Sequence, residues 1–253
     1  MAPARSAGPD GGPAVERSLR SETVSAVYDR IGVGYAARRR PDPRIGARIA
    51  AAVGEGRVLN VGAGTGSYEP IGAVAVEPSS TMIAQRTNGN VCVQAVAERL
   101  PFPDGAFDVA LAVITLHHWP DLAAGLRELR RVSARQVVVT FDRAVHDRHW
   151  IFDYAPVPNA LPPLDAIGLP NVEVVEVPHD CTDRFLVAPW RYPEEFLDPA
   201  ARAAMSGLAL LDEHIVDWAM ARLAADLRSG EWARRHGHLL DLHTYDVGLR
   251  ILS

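Results

Sequence analysis

The run Val58-Leu59-Asn60-Val61-Gly62-Ala63-Gly64-Thr65-Gly66 carries the clearest chemical signal in the chain. Glycines spaced G-x-G-x-G after a β-branched run let a strand end in a tight turn. Without a Cβ they also let a ligand approach the backbone closely. A helix starting just after the turn would add free N–H groups there. Glu77 follows at the end of a second apolar run, where a carboxylate can accept both hydroxyl hydrogens of a ribose. The segment Val96-Ala97-Glu98-Arg99-Leu100-Pro101-Phe102 offers small and apolar side chains between which a flat base could lie. Finally, Leu116-His117-His118-Trp119-Pro120-Asp121 presents two imidazoles, and a ring of pKa near ~6.5 can take a proton at neutral pH. Capping the strand and bracing Trp119 is the commoner explanation of such a pair, since neutral buried histidines are frequent.

These residues need a scaffold, and the hydrophobic pattern describes one. Strands are predicted over Arg57–Val61, Ala73–Glu77, Val91–Gln94, Phe107–Ile114, Gln136–Phe141 and Val172–Val177, with Leu240–Leu252 as a last strand. The fourth and fifth are continuously apolar, as suits central parallel strands covered on both faces. A short helix is expected over Arg44–Val53, and Ser79, Ser80 and Thr81 can cap another. Asp121 should cap a helix with Leu122, Leu126, Leu129 and Val132 facing inward. A longer helix should begin at Asp212, with Val216, Ala219, Leu223 and Leu227 on one face. Strands alternating with helices indicate an open, doubly wound α/β sheet. Residues Met1–Ala14, rich in Pro, Gly and Ala, read as a disordered leader, and 15–253 as one domain. Within it, 146–237 is rich in aromatics and irregular, which suits a helical cap that shapes an acceptor pocket.

Composition narrows the chemistry. The 253 residues are 48% hydrophobic and 23% charged, with a formal net charge of −5, the profile of an ordinary globular domain. All 26 basic residues are arginine; without lysine there is no Schiff-base chemistry and no P-loop lysine. Two cysteines are too few for a disulfide framework, and no His/Cys spacing matches a zinc site, so no metal is expected. The negative charge disfavours nucleic acid, Arg38-Arg39-Arg40 being the local exception. The apolar stretch Val109–Leu116 falls far short of the ~20 residues of a membrane span. With no secretory h-region visible, a cytoplasmic location and a small-molecule partner are the expectation.

Taken together, the quoted motifs resemble those of the class I S-adenosylmethionine-dependent methyltransferases. The likeness is to the small-molecule group related to ubiquinone and menaquinone methyltransferases, and runs from about Tyr28 to Asp142. It implies a Rossmann-like seven-stranded sheet with the last strand antiparallel, and a cofactor across the carboxyl ends of the first four strands. It further implies that Gly62, Ala63, Gly64 and Gly66 meet the methionine part, Glu77 the ribose, and Ala97 and Glu98 the adenine. Pro78 and Met82 would flank ribose and base, and the backbone at Ala112 and Val113 would face the amino-acid end. Tyr28 and Arg38 would fold over the cofactor, one against the sulfonium and the other on the carboxylate. The chain departs from the family pattern at Asn60, where aspartate is common, and at Val96-Ala97, where aspartate–alanine is usual. The implied activity is methyl transfer to a small molecule through O, N or C, leaving S-adenosylhomocysteine, with His117 as the candidate base. The alternative is a protein that binds the cofactor without methyl transfer, as a regulator or a rearrangement catalyst. A nicotinamide dehydrogenase is a weaker reading, since Ser67 replaces the third glycine of that fingerprint.

Overall fold

Short β-branched runs pair wherever both faces can be covered. The computed structural model describes residues 39–158 and 160–253, so the leader, Tyr28 and Arg38 lie outside the described residues. The strands are β1 (Val58–Val61), β2 (Val74–Val76), β3 (Cys92–Val93), β4 (Phe107–Val113), β5 (Ser133–Phe141), β6 (Val172–Val174), β7 (Val177–Pro178), β8 (Thr244–Tyr245) and β9 (Leu249–Leu252). Seven of them form one sheet of order β3-β2-β1-β4-β5-β9-β6, while β7 and β8 make a separate ribbon. β1 pairs in parallel with β2 and β4, and β4 in parallel with β5. β9 runs antiparallel between β5 and β6. The sheet is therefore doubly wound with its last strand reversed.

Every residue of β1 is buried, and so are Val109 to Ala112 of β4 and Val137 to Phe141 of β5. Two apolar clusters cover the two faces. Ile45, Ile49, Val109, Val137 and Val139 join the cap residues Trp150, Trp190 and Phe196 in one. Leu59, Val61, Ala110, Leu126, Leu129 and Val132 lie in the other. The helix Leu122–Val132 contributes the second set, and the Asp121 carboxylate accepts from Ala124 N at 2.9 Å to start it. Gly125 on this helix sits against Trp119: a Cβ there would lie 2.3 Å from Cε3 of the indole.

Four expectations need correction. No helix follows Gly66; residues 62–73 are turns, and the connection to β2 closes without one. The reason lies in Gly66-Ser67-Tyr68-Glu69-Pro70-Ile71-Gly72: glycine at both ends and an internal proline leave too few residues for a helix. The connection from β3 to β4 also lacks a helix. The run expected as one strand over Val172–Val177 splits into β6 and β7, which belong to different sheets. The last strand is short because a 3-10 helix takes Gly237–Asp241. Gly248, at φ 94, then turns the chain into β9 with its N–H on Asp246 Oδ1 at 2.8 Å.

Candidate active site

The carboxyl ends of β1, β2 and β4 converge on one cavity of about 390 Å³, within the usual size range of small-molecule sites. Its floor is the glycine turn. Gly62 donates to Val76 O at 2.9 Å, joining the ends of β1 and β2. Its φ is 70, and a Cβ there would sit 2.1 Å from Thr115 Oγ1 at the end of β4. Only glycine lets the two strand ends pass so closely.

Glu77, 7% exposed, is the knot of the site. Its Oε2 accepts from Gly64 N at 2.8 Å and its Oε1 from Ser79 N at 2.9 Å. One carboxylate therefore fixes both the glycine turn and the start of the helix Ser80–Ile83. A carboxylate has about four acceptor positions, so these bonds are compatible with ligand hydroxyls. Met82 brings its Cε to 3.4 Å from where a Gly64 Cβ would stand. Ala97 is buried, and Glu98 turns its carboxylate to Asp121 N at 3.2 Å.

Of the residues singled out from sequence, Gly62, Ala63, Gly64, Glu77, Pro78, Met82, Ala97, Glu98, Val113 and His117 line this cavity. Gly66 does not line it; a Cβ there would be 2.4 Å from Asn88 Nδ2, so this glycine makes room for packing behind the turn. Ala112 is fully buried within β4, one residue short of the wall.

Other wall residues belong to no motif in the sequence. Arg39, next to Arg38, pairs with Asp183, whose Oδ2 also accepts from Tyr68 Oη at 2.9 Å. Ile114 lines the cavity at φ 50, a rare conformation for a β-branched residue. Phe141, Phe152, Phe185, Leu161 and Leu186 supply an apolar end. Only the aromatic content of the cap hinted at these; a positive φ at isoleucine has no sequence signal.

His117 and His118 sit in a 3-10 turn after β4, with ring centroids 3.8 Å apart. Burial, and then the neighbouring His146, bring the His117 pKa down to about 4. Burial followed by His117 holds His118 well below its usual value. Both rings are half-buried in the wall of the cavity. They are therefore neutral at pH 7. His117 Nδ1 has no hydrogen-bond partner. Among the described residues no cluster of His, Cys, Asp or Glu could hold a metal ion.

Comparison with known proteins agrees with this geometry. Residues 52–141 match the family model described as a methyltransferase domain. A solved structure from Anabaena variabilis, named as a candidate methyltransferase of an antibiotic biosynthesis pathway, superposes with a TM-score of 0.77. It is 31% identical, over 85% of this chain and 97% of that one. A malonyl-[acyl-carrier protein] O-methyltransferase of Halorhodospira halophila is 34% identical over 34% of each chain. A 2-methyl-6-phytyl-1,4-hydroquinone methyltransferase of Oryza sativa is 28% identical over 38% of this chain and 31% of that one. The curated relatives are matched over only 19–36% of their own length. The chain belongs to the class I S-adenosylmethionine-dependent methyltransferases, and S-adenosylmethionine is the cofactor that this membership implies.

The residues present fit that cofactor. The cavity wall combines a glycine turn with no Cβ, a buried carboxylate at the next strand end, and an apolar slot beside Met82 and Ala97. Asn60 Oδ1 is a buried polar atom with no protein partner, as expected where a ligand completes the bonding.

Proposed function

We propose that this chain methylates an apolar small molecule at a protic atom, with His117 accepting the proton. In this reading Gly62, Ala63 and Gly64 cradle the amino-acid part of the cofactor, Glu77 takes the ribose hydroxyls, and Pro78, Met82, Ala97 and Glu98 hold the base. When bound, the cofactor supplies a methyl group on a sulfonium, which is already electrophilic. The chain therefore has to align the acceptor, exclude water and receive a proton.

The observation that carries the reading is the continuity of one cavity, lined at one end by Gly64 and Glu77 and at the other by Phe141, Phe152 and Phe185, with His117 in its wall. Nδ1 of His117, which has no protein partner, would receive the proton that the acceptor gives up. With a pKa of about 4, His117 is wholly free base at neutral pH, but a weak one. It suits a phenol or an enol, whose hydroxyl proton becomes strongly acidic as the oxygen is methylated; a carboxylic acid is already ionised at pH 7 and needs no base. The named relatives include an O-methyltransferase and an enzyme named for a hydroquinone, which supports that class of acceptor. The net charge of −5 and the apolar walls speak for a small molecule over nucleic acid. Among the described residues no helix is long and apolar enough to cross a membrane.

The test is incubation with methyl-labelled cofactor and a panel of phenols, enols, carboxylic acids and amines. Equal amounts of methylated product and S-adenosylhomocysteine are expected, greatest with the phenols and enols. Tight cofactor binding with no product across the panel would instead support the non-methylating alternative.

A further inference from the structure

Asn60 lies on β1, 1% exposed and in the wall of the cavity. Its Nδ2 donates to Glu69 Oε2 at 2.8 Å. That bond decides which way the amide faces: nitrogen towards Glu69, leaving Oδ1 as a buried acceptor that no protein group satisfies. The Glu69 side chain is fully buried, and the residue does not line the cavity. Its other oxygen receives Arg86 at 2.5 Å, Asn88 Nδ2 at 2.9 Å and Asn90 Nδ2 at 2.6 Å. Arg86 in turn donates from Nη1 to Gly64 O at 3.0 Å. Glu77 holds the N–H of Gly64, so the amide and carbonyl of this glycine are gripped from opposite sides. A polar cluster around the buried Glu69 carboxylate thus takes the place of the missing helix after Gly66 in fixing the turn.

We propose that Glu69 is a positioning residue that aims the Asn60 carbonyl oxygen at the ammonium of the cofactor's amino-acid end. This rests on the cofactor reading of the same cavity. The ammonium is the ligand group richest in donors at that end, and Oδ1 is an acceptor in want of one. The arrangement explains why the amide is the better residue in this chain, although aspartate is the common one in the family. A carboxylate at position 60 would face the Glu69 carboxylate across a hydrogen-bond distance, with no proton between them. Asparagine supplies a donor on one side and an acceptor on the other.

Calorimetry with two probes tests this. S-adenosylhomocysteine carries the ammonium; 5′-methylthioadenosine carries the same nucleoside without the amino-acid end. Asn60→Ala should weaken S-adenosylhomocysteine about tenfold and leave methylthioadenosine within about twofold, as loss of one charge-assisted hydrogen bond would. Asn60→Asp should also weaken S-adenosylhomocysteine about tenfold. Adding Glu69→Gln, which supplies an amide donor for the introduced carboxylate, should return binding to within about threefold of wild type. Thermal unfolding of each ligand-free variant, with methylthioadenosine binding, reports whether the fold is intact. Equal loss of both probes in Asn60→Ala, or an Asn60→Asp protein that binds as tightly as wild type, overturns the proposal. If wild type binds neither probe, it is the cofactor reading that has failed.

Discussion

Two glycines separate what backbone conformation demands from what close packing demands. Gly62 and Gly72 have similar positive φ values, 70 and 81, but a Cβ on Gly72 meets nothing within 4 Å, whereas one on Gly62 collides with Thr115. Gly72→Ala should therefore cost about 1 kcal/mol, the left-handed penalty alone. Gly62→Ala should cost more than about 3 kcal/mol and abolish S-adenosylhomocysteine binding. Urea denaturation of both variants makes the comparison, and equal costs would refute the collision. At the opposite wall, His117→Gln should lower kcat by about a hundredfold with a protic acceptor, while leaving the Kd for S-adenosylhomocysteine unchanged. Because the wild-type ring titrates at about 4, kcat should fall on acidification towards that value rather than near 6.5. A variant that keeps full kcat would reduce His117 to a wall residue.

The elements around the site are short, and side chains near their ends hold them. The helix Leu122–Val132 starts on the Asp121 carboxylate, and its Gly125 receives the ring of Trp119, which lines the cavity with Pro120. Gly125→Ala improves helix propensity by about 1 kcal/mol, yet a Cβ 2.3 Å from the indole forces Trp119 to move. The expected result is a net loss of stability together with weaker acceptor binding. A stabilised variant with unaltered kinetics would show that Trp119 relocates freely. The β1–β2 connection illustrates the same principle without a helix. Tyr68 takes φ 60 there and donates to Asp183, while Asp42 N donates to Tyr68 Oη at 3.1 Å. The turn is thereby tied to the start of the first described helix and to the cap.

Among the described residues, five histidines are held towards the neutral form by burial. His117 and His149 are brought down to about 4 and about 3, and His118, His146 and His236 are also lowered, with desolvation the largest cause for each. A histidine with a depressed folded pKa binds its proton more readily in the unfolded chain. Unfolding therefore takes up protons between the folded values and about 6.5, and stability must fall as pH drops through that window. Urea midpoints at pH 7, 6 and 5 should decline steadily. His149→Asn keeps an acceptor near Ile151 N, which His149 Nδ1 now serves at 3.2 Å, and should flatten the decline. A midpoint independent of pH from 7 to 5 would mean that the rings are hydrated in solution.

The linear chain determined the elements whose signal is local. Asp121 before a 3.6-residue apolar stripe is a local helix signal, and Val137 to Phe141 cannot be left in water, so the central strands, the helix opposite them and the glycine turn were legible. Glu77 was legible for a related reason: it falls where a strand must end. Tertiary structure decided the rest, because the rest depends on residues distant in sequence. Whether a helix follows Gly66 was settled by the buried Glu69–Arg86 pair and by Pro70, and the orientation of the Asn60 amide by Glu69. The pKa of His117 was set by the atoms of the cap, and the left-handed turn at Ile114 by its N–H bond to Val139 O at 2.7 Å. Backbone hydrogen bonding and apolar periodicity act between near neighbours and can be read along a chain. Desolvation, charge pairing and steric exclusion act through space, and exist only once the chain has folded.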